Sequence, residues 1–296
     1  MYKIHHHQEL HLLELKHSKN KVYAKIHLDQ GASLQELTLN GHAVIKNLSP
    51  LSYATTYASS ILFPFANRIK DGAYAFNGRA YAFEINQKEE HNALHGLVYN
   101  KRFEIVEQKK SESGASVILQ YIEEKESMGF PYKYIIQLEY TITEKDLSLK
   151  VSVTNTDTKA FPFTLGWHPY FSSSDLYNST VDFNSHQKVI LGDRNITTGI
   201  EPISPVDMFE VKDQQLDDCY ILDADTIVFK TPDYDLQIKA TSKDNFLQMY
   251  TPPKENTIAI EPTTGVSDSF NNQIGLQVLK PDERYSLTWA LKIINQ

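Results

Sequence analysis

The sequence predicts an all-β protein, with residues 1–296 forming one large single-domain antiparallel β-sandwich. Three observations predict it. Apolar and polar residues alternate along many segments, two Asn-Gly pairs sit between such segments, and no long capped stretch carries a helical period. A period of two places successive side chains on opposite faces, which marks a strand with one buried face.

The elements follow in chain order. "VYAKIHL" reads as an early strand. "LTLNGHAVI" and "YAFNGRAYAF" each place Asn-Gly between alternating runs. Type I′ hairpin turns need positive φ at both central residues, which Asn and Gly tolerate best. "SVILQYI" is a further strand. In "YKYIIQLEYTIT", Tyr132, Tyr134, Ile136, Leu138, Tyr140 and Ile142 share one face, and Lys133, Gln137, Glu139 and Thr141 the other. A short "EKD" link then leads to "LSLKVSVTN", where Leu147, Leu149, Val151 and Val153 alternate again. Two such runs joined by a short polar link predict a hairpin. "DLQIKAT" and the late "YSLTWALKII" complete the pattern.

With 41% hydrophobic residues, 296 residues can bury a core without disulfides or metals. The single cysteine, Cys219, rules out an internal disulfide framework and argues against a cysteine-based zinc site. A net charge of -8 argues against nucleic acid, which attracts surplus Lys and Arg. The opening residues lack the apolar core of a signal peptide, and no apolar run approaches membrane-spanning length. A soluble, cytoplasmic protein without a membrane partner is expected. His5, His6, His7 and His11 invite a metal reading, but neighbours on a strand point to opposite faces and rarely form one site.

Five places can carry chemistry: Arg68 in "ILFPFANRIKDG", His95 in "NALHGLVYN", His168 in "TLGWHPYFSSSD", Asp217 with Asp218 in "QLDDCYIL", and Glu261 in "IAIEPTTGVSDSFNN". Singly, the first four also fit ordinary roles, such as a surface ion pair, a strand end, a core imidazole and a turn. Glu261 is harder to explain so, because a carboxylate beside Ile258, Ala259 and Ile260 is costly unless paired or opened to a cleft. Together the five suit a polyhydroxylated ligand: Arg donates in a fork, carboxylates accept, and imidazole does either. Trp167, Tyr170, Phe63 and Phe65 fit either the C–H face of a sugar ring or the core.

The motifs "PFANRI", "NALHG", "HPYF", "DDCY" and "IEP", in that order, resemble the aldose 1-epimerases (the galactose mutarotase family) over nearly the whole chain. The resemblance implies a large antiparallel β-sandwich and an isomerase acting on a sugar. It implies His168 as general acid and Glu261 as general base. It also implies Arg68, His95 and Asp217 as sugar-binding residues, with Asp218 one step from the last of these. Where many members have Asn-His-Ser-Tyr-Phe, this chain has Trp167-His168-Pro169-Tyr170-Phe171, so Trp167 is expected to modify which sugar fits.

The expected reaction requires no metal or other cofactor. A base takes the proton of the anomeric hydroxyl, an acid protonates the ring oxygen, and the C1–O5 bond opens. Rotation about C1–C2 and closure give the other anomer. An unperturbed Glu has a pKa of about 4.3 and an unperturbed His about 6.5, so Glu261 is expected to be ionised and His168 to carry the proton. Pro169 is expected to hold His168 in an extended conformation. Three alternatives share these residues. A hexose-6-phosphate mutarotase would use Lys101 and Arg102. A non-catalytic sugar-binding protein would keep the pocket alone, and a glycosidase would use Glu261 with Asp217.

Overall fold

The alternation in residues 132–143 has a direct structural counterpart. In the computed structural model, which describes every residue except Ser18, Asn20 and Gln296, the strand Tyr134–Ile142 buries alternate side chains without interruption. It pairs antiparallel with Asp146–Asn155 through a tight turn closed by a Thr143 N–H to Asp146 C=O hydrogen bond of 2.8 Å. The expected hairpin is therefore present. Both Asn-Gly pairs also form hairpin turns with two left-handed residues: φ is 50° and 88° at Asn40 and Gly41, and 48° and 74° at Asn77 and Gly78.

Two sheets face each other. The first contains five strands, from Tyr2–His7 to His42–Ile45, in simple up-and-down order. The second contains fifteen strands among the described residues. One half is the meander Glu104–Lys110, Ala115–Glu123, Tyr134–Ile142, Asp146–Asn155, continued by Arg284–Asn295. The other half runs through Thr180–Leu191, Asp217–Ile221, Phe246–Tyr250 and Thr257–Thr263 to the short strands Gly166–Trp167 and Ile61–Leu62. Leu15, Ile26 and Leu37 of the first sheet share one apolar core with Leu119, Leu138 and Trp289 of the second. Tyr140 crosses that core and donates its phenol O–H to Ala32 C=O at 2.9 Å, satisfying a hydroxyl that burial would otherwise penalise. The all-β antiparallel sandwich is thus the observed architecture. No helix among the described residues is long and apolar enough to cross a membrane.

Trp167 departs from expectation. It is fully buried and stacks on Trp289 at 6.1 Å between ring centroids, with planes 24° apart. Phe63 and Phe65 are likewise core residues, packed against Tyr134 and Phe83 respectively. None of these three lines the cavity described next. Strand alternation is the reason: Trp167 and His168 are consecutive, so when one faces inward the other does not.

Candidate active site

His168 is positioned by a break in a ladder. Gly166 pairs with Thr263 and Tyr170 pairs with Ala259, so the shared register sets His168 opposite Glu261. Between those two pairs the ladder is thinned: Ile260 N–H donates to Pro169 C=O at 3.3 Å, but Pro169 has no N–H to return the bond. The His168 backbone turns to the other side instead: its N–H donates to Ser60 C=O at 3.1 Å, and its C=O accepts from Ser59 N–H at 2.7 Å. The imidazole is thereby fixed with Nε2 3.4 Å from Glu261 Oε1. Tyr170 stacks on it at 4.9 Å with planes 20° apart, and its phenol donates to Thr56 C=O at 3.1 Å.

His95 arrives by a strained turn. It has φ 61° and is followed by Gly96 at φ 72°. A Cβ on Gly96 would fall 2.2 Å from Phe63 O, so only glycine permits this approach. The turn is closed by Leu97 N–H to Phe63 C=O at 2.7 Å and His95 N–H to Asn67 C=O at 2.8 Å. The His95 ring meets His168 edge-on at 5.1 Å and Tyr57 edge-on at 4.9 Å.

Arg68, His95, His168, Asp217 and Glu261 all line one cavity of about 170 Å³. That is smaller than the roughly 300–1,000 Å³ of pockets for drug-sized ligands and suits a small polar one. Asp218 points to the opposite face, where its carboxylate meets Lys188 Nζ at 2.5 Å. The register of the strand therefore resolves the Asp-Asp ambiguity in favour of Asp217 as the residue facing the cavity.

Other lining residues were not singled out from the sequence. Gln248 and Asn67 join Arg68 and Asp217 in a closed ring. Arg68 Nη1 donates to Asn67 Oδ1 at 2.9 Å, Asn67 Nδ2 to Gln248 Oε1 at 3.5 Å, and Gln248 Nε2 to Asp217 Oδ1 at 2.7 Å. Arg68 Nη2 lies 4.0 Å from Asp217 Oδ2 and completes it. Gln248 is the register partner of Glu261, so the ring and the carboxyl–imidazole pair sit on adjacent strands. The available signal was a lone polar residue in "FLQMY", a segment otherwise reading as core.

Burial controls the electrostatics. It pushes Glu261 well above the usual carboxylate range, helped by the charge of Asp217 and opposed by Arg68. It pushes His168 down to about 3. It pushes His95 well below the ordinary imidazole value, with His168 and Arg68 acting in the same direction. Asp217 is raised, chiefly by burial, against the pull of Arg68. Burial therefore acts against the expected ionised Glu261 beside a protonated His168. Desolvation favours the neutral carboxyl and neutral imidazole. The proton count is unchanged, since a carboxylic acid beside imidazole and a carboxylate beside imidazolium hold the same single exchangeable proton.

Lys101 and Arg102 do not line this cavity. Lys101 Nζ lies 3.9 Å from Glu123, and Arg102 Nε lies 3.1 Å from Glu104 and 3.7 Å from Asp29.

The sequence model of aldose 1-epimerase matches residues 11–292. The chain belongs to the aldose 1-epimerase family. This member of the family is 25% identical to the uncharacterized protein YihR of Escherichia coli over 272 residues, covering 87% of this chain and 86% of that protein. Its fold is similar to a galactose mutarotase-like protein from Clostridium acetobutylicum, with a TM-score of 0.87 at 21% identity over 100% of this chain and 99% of the other. It is also similar to galactose 1-epimerase from Lactobacillus acidophilus, with a TM-score of 0.79 at 16% identity over 96% and 94% of the two chains. At these identities the two structural likenesses speak to the fold of the aldose 1-epimerase family.

Proposed function

We propose that this chain interconverts the α and β anomers of a free aldose, with His168 and Glu261 exchanging the proton that ring opening requires. The observation that carries the reading is the 3.4 Å contact between His168 Nε2 and Glu261 Oε1 inside a cavity that also holds Arg68, His95 and Asp217. The anomeric hydroxyl and the ring oxygen are bonded to the same carbon. Two groups in mutual contact can therefore reach both atoms from one side.

One group of the pair accepts the proton of the anomeric hydroxyl while the other delivers a proton to the ring oxygen. The electrons of the O1–H bond form the C1=O1 carbonyl, and those of the C1–O5 bond go to O5. After rotation about C1–C2, closure returns both protons and restores the pair. Positioned acid–base groups each contribute roughly 10²–10⁴-fold. Arg68 and Asp217 hold the sugar's hydroxyls, as fork donor and acceptor. His95, kept neutral by burial, offers a ring nitrogen to the developing aldehyde or ring oxygen.

The substrate in this reading is unphosphorylated. Lys101 and Arg102, the cations a 6-phosphate would need, lie outside the cavity and already face Glu123, Glu104 and Asp29. The test is polarimetry or NMR on freshly dissolved pure anomers of a panel of hexoses, pentoses and glucose 6-phosphate. Acceleration of at least one free aldose, above that of the phosphate ester, is expected. Rates equal to buffer across the panel would overturn the enzyme reading.

A further inference from the structure

Arg68 is held from behind by a carboxylate that lies outside the motifs. Its Nε–H is shared between Glu90 Oε2 at 3.0 Å and Gln87 Oε1 at 3.2 Å. One Nη1 hydrogen goes to Asn67. A guanidinium has five N–H groups in a fixed planar fork. Three of them, one on Nη1 and both on Nη2, thus have no hydrogen-bond partner among the described residues. Nη2 lies 4.0 Å from Asp217 Oδ2, an ion-pair separation longer than a hydrogen bond.

That spacing needs an explanation, because an arginine this close to a carboxylate tends to close into a bidentate pair. Glu90 supplies one. It competes with Asp217 for the same cation and draws the guanidinium back by its Nε edge. Glu90 is itself fixed. Its Oε1 lies 3.5 Å from Asn195 Nδ2 and its Oε2 lies 3.5 Å from Asn92 Nδ2. The loop that carries it is closed by reciprocal Gln87–Asn92 backbone hydrogen bonds of 3.1 Å. Asn195 is anchored in turn, since its C=O accepts from Ser267 Oγ at 2.8 Å.

We infer that Glu90 is a positioning residue that holds Arg68 away from Asp217, so that both keep free hydrogen-bonding capacity for the sugar's hydroxyls. The inference rests on the anomerase reading for its consequence and on the Arg68–Glu90 geometry for its substance. In Glu90→Ala the guanidinium closes onto Asp217, and the sugar must then break that pair to bind.

The experiment has two arms. The first measures anomerisation kinetics of the best free aldose for wild type, Glu90→Ala and Glu90→Gln. The expected result is a KM raised about tenfold or more in Glu90→Ala with kcat changed by less than about threefold, the size of one charge-assisted hydrogen bond. Glu90→Gln, which keeps an acceptor for Nε–H, restores most of the loss. The second arm follows the ¹⁵N Nε–H resonance of Arg68, assigned by its loss in Arg68→Lys. Its exchange with solvent is expected to be slow in wild type and Glu90→Gln and at least about tenfold faster in Glu90→Ala, where Gln87 Oε1 is the remaining acceptor, at unchanged circular dichroism. An Nε–H exchange rate unchanged in Glu90→Ala, or a KM unmoved in that variant, overturns the inference. Should wild type fail to accelerate any sugar, the anomerase reading falls, and the second arm still decides whether Glu90 holds Arg68.

Discussion

His168 Nε2 stands 3.4 Å from Glu261 Oε1 because two short antiparallel pairings, Gly166 with Thr263 and Tyr170 with Ala259, bracket them in register. In the proposed reaction the pair divides the work: one group takes a proton as the other gives one. Glu261→Gln keeps the shape and removes the titratable group. Its kcat is expected to fall by about 10²–10⁴-fold. Calorimetric affinity for the sugar should stay within a few-fold of wild type, because the Arg68, Asp217 and Gln248 contacts remain. A variant with near wild-type kcat would remove Glu261 from the reaction.

The same burial predicts a pH signature in stability. His168 is depressed to about 3 from an ordinary 6.5, so its contribution is complete above pH 6.5 and is lost as pH falls toward 3. In that window the unfolded chain binds a proton that the folded chain refuses. Glu261, being raised, has the opposite sign: its contribution is present below the unfolded value of 4.5 and is lost as pH rises through the folded one. Urea unfolding between pH 6.5 and 4.5 should therefore show wild type losing more stability than His168→Asn, by up to about 1.4 kcal/mol per pH unit. Parallel curves for the two proteins would contradict a buried neutral imidazole.

Asp217 and Asp218 separate cleanly. Asp217 faces the cavity and accepts from Gln248, whereas Asp218 pairs with Lys188 on the other face. Asp217→Asn is expected to raise KM about tenfold or more, the cost of one hydrogen bond to a charged group. Asp218→Asn should leave KM within about twofold and cost at most ~1 kcal/mol of stability, as partly exposed ion pairs do. Steady-state kinetics on the two variants decides the assignment.

Gly96 is a backbone requirement. Gly96→Ala meets Phe63 O at 2.2 Å and places a Cβ at φ 72°. A stability loss of at least about 1–3 kcal/mol is expected from the strain, measurable as a lowered urea midpoint. Activity should fall further than stability explains, because the adjacent His95 must shift with the turn.

Trp167→Phe tests the correction to the aromatic assignment. Removing part of the stack on Trp289 should cost about 1–3 kcal/mol by loss of core packing. The ranking of sugars by kcat/KM should be unchanged, since Trp167 does not reach the cavity. A reordered ranking would return Trp167 to the specificity determinants.

The sandwich was legible because its strands bury one face and expose the other, and Asn-Gly turns have few competing uses. That Arg68, His95, His168, Asp217 and Glu261 come to one cavity was foreshadowed by the ordered motifs that carry them. Glu90 was not, because "QKEEH" reads as a solvated charge run, and only the fold brings it behind Arg68. Gln248 carries no motif, and its partners Asp217 and Asn67 reach it only in the folded chain. The upward push on Glu261 and the downward push on His168 were not legible for a related reason. Ordinary pKa values describe groups in water, and the depth of the cavity is a property of the folded chain.

The thinned ladder around Pro169 has an evolutionary consequence. Inserting or deleting a single residue between Gly166 and Tyr170, or between Ala259 and Thr263, would send the imidazole or the carboxyl to the opposite face of the sheet. Both faces of these segments are buried, so such a change would also displace the core packing of Trp167 and Phe171. One residue more or less in either short segment would thus break the core and the site together, which ties the length of both segments to the fold as well as to the pair they carry.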